Sequence, residues 1–177
     1  MKRISMLIFI ACLVLSACAQ QPAPAPEPSS SSEPEPSSAI GMPNPMVSTA
    51  SANYENFSLV GYPNEEEVSP KGYWLIGGEI AQLDYEIEGQ SLVFRAAKDT
   101  GEDISGVYET FEEDEEQEMT LEDGSAVTVR FRATATGPAL ATWTRGGYTF
   151  SMYMPHSPMG MAGGLLPRFL ETEAVEN

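Results

Sequence analysis

The residues whose types and spacing could support metal chemistry lie in one segment, MYMPHSPMGM at 152–161. Thioether and imidazole groups are ligands that suit Cu(I). Met152 and Met154 share the parity of the aromatic residues before them, and this alternation predicts that they fill the core. The loop that follows supplies a candidate copper site formed by His156, Met159 and Met161. The alternative interpretation is that the segment forms part of the core and a loop and binds no metal.

A second candidate site is the loop EDISG at 102–106. Loops carry binding residues because they are free of packing duties, so Asp103 and Ser105 are candidate contacts for a ligand or partner. Asp and Ser in such a loop also cap neighbouring backbone donors.

The acidic run EEDEE at 112–116 could suggest a calcium site. Calcium requires six to eight oxygens converging from a tight loop punctuated by glycine, and this run has neither glycine nor Asp-x-Asp spacing. Continuous like charge is more typical of a solvated loop or of a strand edge protected from pairing.

Enzymatic chemistry has little support in the sequence. The chain has no glycine-rich phosphate loop, no nucleophile elbow and no His-Glu-x-x-His motif. A histidine-dependent triad would rest on His156, which is the single histidine. We therefore predict a protein that is not an enzyme and that needs no cofactor.

The N-terminal residues predict an export signal followed by a lipid-attachment cysteine. Lys2 and Arg3 precede an apolar stretch at 4–15, which is shorter than the roughly 20 residues of a membrane-spanning helix. The tetrapeptide Leu-Ser-Ala-Cys ends this stretch and matches a bacterial lipobox, so we expect cleavage after residue 17 and a lipid on Cys18. The alternative is an ordinary secretory signal with Cys18 incidental.

Processing at this position determines the charge and the cysteine content of the mature chain. Loss of Lys2 and Arg3 changes the formal net charge from −17 to −19. Such a chain would repel nucleic acid, because nucleic-acid binding requires phosphate neutralisation by Lys and Arg. Cys12 leaves with the signal, so no disulfide is possible. The lipid, and not the surface charge, is expected to bring the protein to the membrane.

The remainder of the chain divides into a tether and one domain. Residues 18–39 comprise the lipidated cysteine and a Pro/Ser/Glu tether, which cannot bury enough surface to fold. An extended polyproline II conformation gives this tether a reach of about 60 Å. Residues 40–177 are long enough for a single β-rich domain, which we expect to be a monomer.

Hydrophobic alternation predicts the fold class of this domain. Residues 79–87, 126–134 and 148–154 alternate apolar and polar with period two, and short turns separate them from neighbouring strands. We therefore predict an α+β, mainly β fold: an antiparallel meander sheet with one apolar face covered by short helical segments. The candidate covers are 51–68 and 161–175, although neither has a good helical pattern. An all-β half-barrel is the alternative.

Several short stretches together resemble an uncharacterised family of surface lipoproteins from Gram-positive anaerobes, which carries a domain of unknown function. The stretches are IGMPNPM at 40–46, EDISG at 102–106, ATW at 141–143 and GGYTFS at 146–151. The resemblance implies an antiparallel sheet with helical cover and an extracytoplasmic location. It implies no established activity and supplies no catalytic residues.

Together these features favour a binding or interaction module on the outer face of the cytoplasmic membrane. The lipid on Cys18 would hold it there, and loops and one sheet face would recognise a protein or an envelope component. Copper handling by the segment 152–161 is the alternative function.

Overall fold

The computed structural model describes residues 45–135, 137–157 and 160–177, except for the side chain of Met161. The predicted signal 1–17, Cys18 and the predicted tether lie outside these residues, as do Met159 and the first five residues of the stretch 40–46. In the described part no helix is long and apolar enough to cross a membrane.

Ten strands and one helix make up the described part of the chain. In chain order they are β1 Met46–Thr49, β2 Phe57–Val60, β3 Pro70–Ile76, β4 Ile80–Ile87, β5 Gln90–Lys98, β6 Glu113–Thr120, β7 Ala126–Ala133, β8 Ala139–Arg145, β9 Tyr148–Met154, α1 Met161–Leu170 and β10 Glu173–Glu176. Eight strands form one antiparallel sheet in the order β1-β3-β4-β5-β9-β8-β7-β6, and β10 pairs with β2 in a separate ribbon. The mainly β prediction is confirmed, and the sheet does not close into a barrel.

Successive side chains of each strand point to opposite sides of the sheet. One side is the core face, and the opposite side is called the second face below. Leu83, Phe94, Met152 and Ala141 are fully or almost fully buried and lie side by side across β4, β5, β9 and β8. Burying this apolar surface is the main stabilising contribution to such a fold. Met152 and Met154 are in the core, as their parity predicts.

The simple meander predicted from the sequence is wrong in one connection. Strand β5 pairs with β9, and β6 lies at the far edge of the sheet. The sheet therefore consists of two meanders, β3-β4-β5 and β6-β7-β8-β9, which are joined at β5 and β9, and of the strand β1, which pairs with β3 at the other edge. The connection 99–112 must cross the second face to reach β6, and Leu140 of that face is completely buried.

The cover of the core face also differs from the prediction. Residues 51–68 contain β2 and turns in place of a helix, and they bury Tyr54, Phe57 and Leu59. The helix α1 is the one helix among the described residues, and it includes Pro167. A cover made of helical segments is therefore not supported, because a strand ribbon supplies much of the cover.

Four of the five residues of the acidic run lie on the edge strand β6, whose side chains are almost all exposed. Successive side chains of a strand point to opposite faces, so these carboxylates do not converge on one point. Arg130 of β7 pairs with Asp114, with Nη2 2.6 Å from Oδ2, and both side chains are about half exposed. The run is thus a charged strand edge, one of the two structures that its composition predicts.

Candidate functional site

A cleft of about 520 Å³ lies where the ends of several strands meet the loop 99–107. Its volume falls within the range of small-molecule sites, roughly 300–1,000 Å³. The apolar part of its lining is contributed by distant parts of the chain, namely by Phe57, Ile80, Ala97, Ile104 and Tyr148. Antiparallel pairing brings these positions together, since Lys98 of β5 lies opposite Tyr148 of β9 and Glu176 of β10 lies opposite Phe57 of β2.

The polar lining of the cleft is mostly acidic. Four carboxylates line it against one ammonium group, Lys98, and the four are those of Glu79, Glu102, Asp103 and Glu176. Lys98 pairs with Glu176, with Nζ 2.9 Å from Oε1. This hydrogen bond, with the charge of the same carboxylate, raises the pKa of Lys98 above its ordinary value.

Hydrogen bonds within the loop 99–107 define its conformation. Asp99 accepts from the backbone N–H of Gly101 at 3.0 Å, and its Oδ1 also accepts from the Thr149 hydroxyl at 2.9 Å. Asp103 accepts from the N–H of Ser105 at 2.8 Å, and Ser105 Oγ accepts from the N–H of Val107 at 3.2 Å. The predicted capping by Asp103 and Ser105 is therefore confirmed, and the loop presents a defined surface.

Arg95 on the second face anchors this loop to the sheet. Its Nη1 donates to the carbonyl oxygens of Ile104 at 3.1 Å and Ser105 at 2.7 Å, while Nε donates to Gln82 Oε1 at 2.8 Å. Burial lowers the pKa of Arg95 from its ordinary value, against the opposing effect of Asp84 and Asp103. Arginine keeps its charge at neutral pH, so these are charge-assisted hydrogen bonds.

Asp103 connects the cleft with this anchored loop. Burial raises its pKa, but hydrogen bonds from Ser105 and the charge of Arg132 outweigh burial, so the pKa lies below its ordinary value. Arg132 Nη2 lies 3.7 Å from Asp103 Oδ2. Asp103 is therefore ionised at neutral pH. Its contribution to stability is present above its unfolded pKa and is lost as the pH falls through the lower folded value.

Substitution of Gly106 tests the close approach of the loop to Arg95. Gly106 has φ +64°, and a Cβ atom there would collide with the Arg95 guanidinium. Gly101 has a similar φ, +76°, but open space around it. We expect Gly101→Ala to cost about 1 kcal/mol of unfolding free energy for the left-handed backbone alone, and Gly106→Ala about 2 kcal/mol. Urea denaturation would measure both, and equal costs would contradict the contact.

The connection 99–112 is held a second time by Tyr153, whose hydroxyl donates to Glu109 Oε1 at 2.6 Å. Burial, with this hydrogen bond and the charge of Glu109, raises the pKa of Tyr153 to about 12 from 10.0. The stabilisation is complete below pH 10 and is lost as the pH rises through 12. We expect Tyr153→Phe to remove one tyrosinate transition near pH 12 from the absorbance titration at 295 nm. An unchanged titration above pH 11 would contradict the contact.

The residues predicted as site residues are placed separately. Asp103 lines the cleft, and Ser105 is buried beneath the loop surface. His156 is exposed after β9. Met159 and the side chain of Met161 lie outside the part of the chain that the structure describes. The described residues hold no group of three or more His, Cys, Asp or Glu that could bind a metal ion. The copper hypothesis therefore stays a prediction from the sequence.

Sequence reasoning missed the floor of the cleft, in particular Phe57, Ile80 and Tyr148. Each has the signal of an ordinary strand residue, because each begins a strand on a buried or half-buried position. Their meeting depends on the pairing of β5 with β9 and of β2 with β10. Among these cleft residues, only Asp103 could be identified as a candidate from the sequence immediately around it.

Comparison of the chain with protein-family models, with curated proteins and with solved structures finds no match. The resemblance to a lipoprotein family therefore stays a prediction.

Proposed function

We propose that this protein is a lipid-anchored binding module on the outer face of the cytoplasmic membrane, and that its ligand occupies the cleft beside the loop 99–107. The observation that carries the proposal is the cleft itself, of about 520 Å³, with an apolar floor and a polar rim. Binding sites typically combine such a floor with a few placed polar groups.

The loop 99–107 supports the proposal because it is fixed before any ligand arrives. The side chains of Asp99, Asp103 and Ser105 bind three of its backbone N–H groups, and Arg95 binds two of its carbonyl oxygens. A fixed loop avoids the ordering cost that a mobile loop would add to binding. The cleft can therefore supply apolar contact, hydrogen bonds and charge with little rearrangement.

The anchoring part of the proposal rests on the sequence around Cys18. A lipidated cysteine would retain the protein at the membrane, and the Pro/Ser/Glu tether at 19–38 would place the domain at a distance from the lipid surface. One lipid chain gives only marginal attachment, so a diacylglycerol on the thiol, which carries two chains, is the expected anchor.

The anchor can be tested by substitution and cell fractionation. We expect Cys18→Ser to move the protein out of the membrane fraction or to leave it with its signal uncleaved. Cys12→Ser, within the apolar stretch, is the matched control and should stay lipidated in the membrane fraction. Membrane retention of a processed Cys18→Ser protein would contradict lipid anchoring.

The binding part can be tested by photo-crosslinking on intact cells. A crosslinking residue at Thr100, which lines the cleft, is compared with one at Ser91, which is exposed at the opposite end of β5. We expect a discrete adduct from position 100 and none from position 91. Identical adduct patterns from both positions would contradict a role for the cleft.

A further inference from the structure

We propose, resting on the proposed function, that the ligand of the cleft is a small organic cation with an apolar body. The floor contributes aromatic and aliphatic side chains, including Phe57, Ile80 and Tyr148. The rim contributes carboxylates. A ligand that satisfies both surfaces has an alkyl or aryl part and an ammonium or guanidinium group.

Internal pairing leaves two of the rim carboxylates available to such a cation. Glu176 is paired with Lys98, and Asp103 is held by Ser105 and Arg132. The side chains of Glu79 and Glu102 make no hydrogen bond or ion pair with any other residue that the structure describes, although both line the cleft. The rim therefore has a net negative charge that its own basic residue does not neutralise.

Tyr148 adds a polar group to the lining of the cleft. Only 5 % of this residue is exposed, and its hydroxyl makes no hydrogen bond within the described ranges. Because this residue lines the cleft, its hydroxyl is available to a ligand there. The phenol oxygen could accept a hydrogen bond from an ammonium group of a bound cation.

The aromatic floor adds an attraction that is selective for cations. The rings of Phe57 and Tyr148 lie with their centroids 5.3 Å apart. A cation within about 6 Å of such a ring is attracted by the negative charge of its face. An anion of the same shape would be repelled by the rim carboxylates.

The experiment compares three probes against the full lipidated chain in detergent, with binding followed by NMR of the backbone amides. 3-Methylbutylammonium has both the charge and the apolar body, 4-methylpentanoate has the same body with opposite charge, and methylammonium has the charge alone. We expect saturable shifts at Ala97, Thr100 and Tyr148 with 3-methylbutylammonium. Methylammonium should bind at least tenfold more weakly, and 4-methylpentanoate should not shift these amides.

Matched charge changes separate the cleft from the general negative field of the chain. Glu102→Gln and Glu79→Gln should each weaken 3-methylbutylammonium binding by about two- to fivefold, the range of exposed ion pairs. Tyr148→Phe should also weaken the binding of 3-methylbutylammonium, while it leaves the contact with the Phe57 ring in place. Glu116→Gln on the edge strand β6 removes the same charge from a residue that does not line the cleft and should leave the affinity unchanged.

Three results would overturn the inference: equal binding of the cation and the anion, equal weakening by Glu116→Gln and Glu102→Gln, or no cleft shifts with 3-methylbutylammonium. Each would leave the proposed function standing if the Thr100 crosslink still forms, because another ligand would then occupy the cleft. Absence of both the cleft shifts and the crosslink would overturn the two proposals together.

Discussion

Replacing Phe169 by alanine should lower the free energy of unfolding by about 3–5 kcal/mol, the range for removing a fully buried aromatic side chain. Phe169 of α1 is completely buried, and its ring centroid lies 5.1 Å from that of Tyr85 and 5.3 Å from that of Phe94. The variant leaves a cavity between the helix and the sheet that neighbouring rings cannot fill. Because Pro167 and two glycines weaken the helix itself, this packing is what holds α1 in place.

Urea denaturation followed by circular dichroism would measure the effect of Phe169→Ala. Tyr108→Ala is the control, since Tyr108 is 98 % exposed and its removal should change stability by less than about 0.5 kcal/mol. A loss below 1 kcal/mol for Phe169→Ala would contradict the docking of α1 on the core.

Replacing Arg95 by methionine should cost about 2–4 kcal/mol and should release the loop 99–107 from the sheet. Methionine keeps the apolar stem but leaves the carbonyl oxygens of Ile104 and Ser105, and the amide of Gln82, without their donor. The loss should therefore be local as well as global: amides at 104–107 should exchange with deuterium at least tenfold faster, while those of β8 change little.

Arg130→Met is the matched control, because Arg130 lies in the same cross-strand row of the second face but its ion pair is exposed. We expect a cost below about 1 kcal/mol, as for other exposed ion pairs. Equal effects of the two substitutions on loop exchange would show that Arg95 does not anchor the loop.

The sequence predicted the strands well because their signal is local. Period-two alternation at 79–87, 126–134 and 148–154 corresponds to β4, β7 and β9 within one or two residues. The pairing of β5 with β9 was missed because hairpin turns specify only neighbours in the chain. The contact between Phe94 and Met152 is set by packing between segments about sixty residues apart, which no short pattern records.

The cover was harder to predict for a different reason. Residues 57–60 alternate over only four positions, and their partner β10 lies at 173–176. Helix α1 contains Pro167 and two glycines, which argue against a helix on propensity alone. Burial of Leu166, Phe169 and Leu170 overrides that propensity. Tertiary packing therefore determines that this segment is helical, although its intrinsic helix propensity is weak.

The candidate site divides in the same way. The capped loop with Asp103 and Ser105 was predicted, since Asx and Ser turns are local chemistry. Its anchor Arg95 and the cleft residues Phe57 and Tyr148 were not, because they meet only when the strands are paired. The polar residues of the loop could therefore be predicted from the local sequence. The residues that complete the cleft could not, because their positions depend on how the strands pair.

The most direct test of a ligand in the cleft is thiol footprinting of the protein on intact cells. Thr100→Cys and Ser91→Cys variants of the full chain are labelled with a membrane-impermeant maleimide, on cells and again after purification. We expect Cys introduced at 100 to react several-fold more slowly on cells than after purification, and Cys at 91 to react equally in both. Equal rates at position 100 in the two states would contradict an occupied cleft.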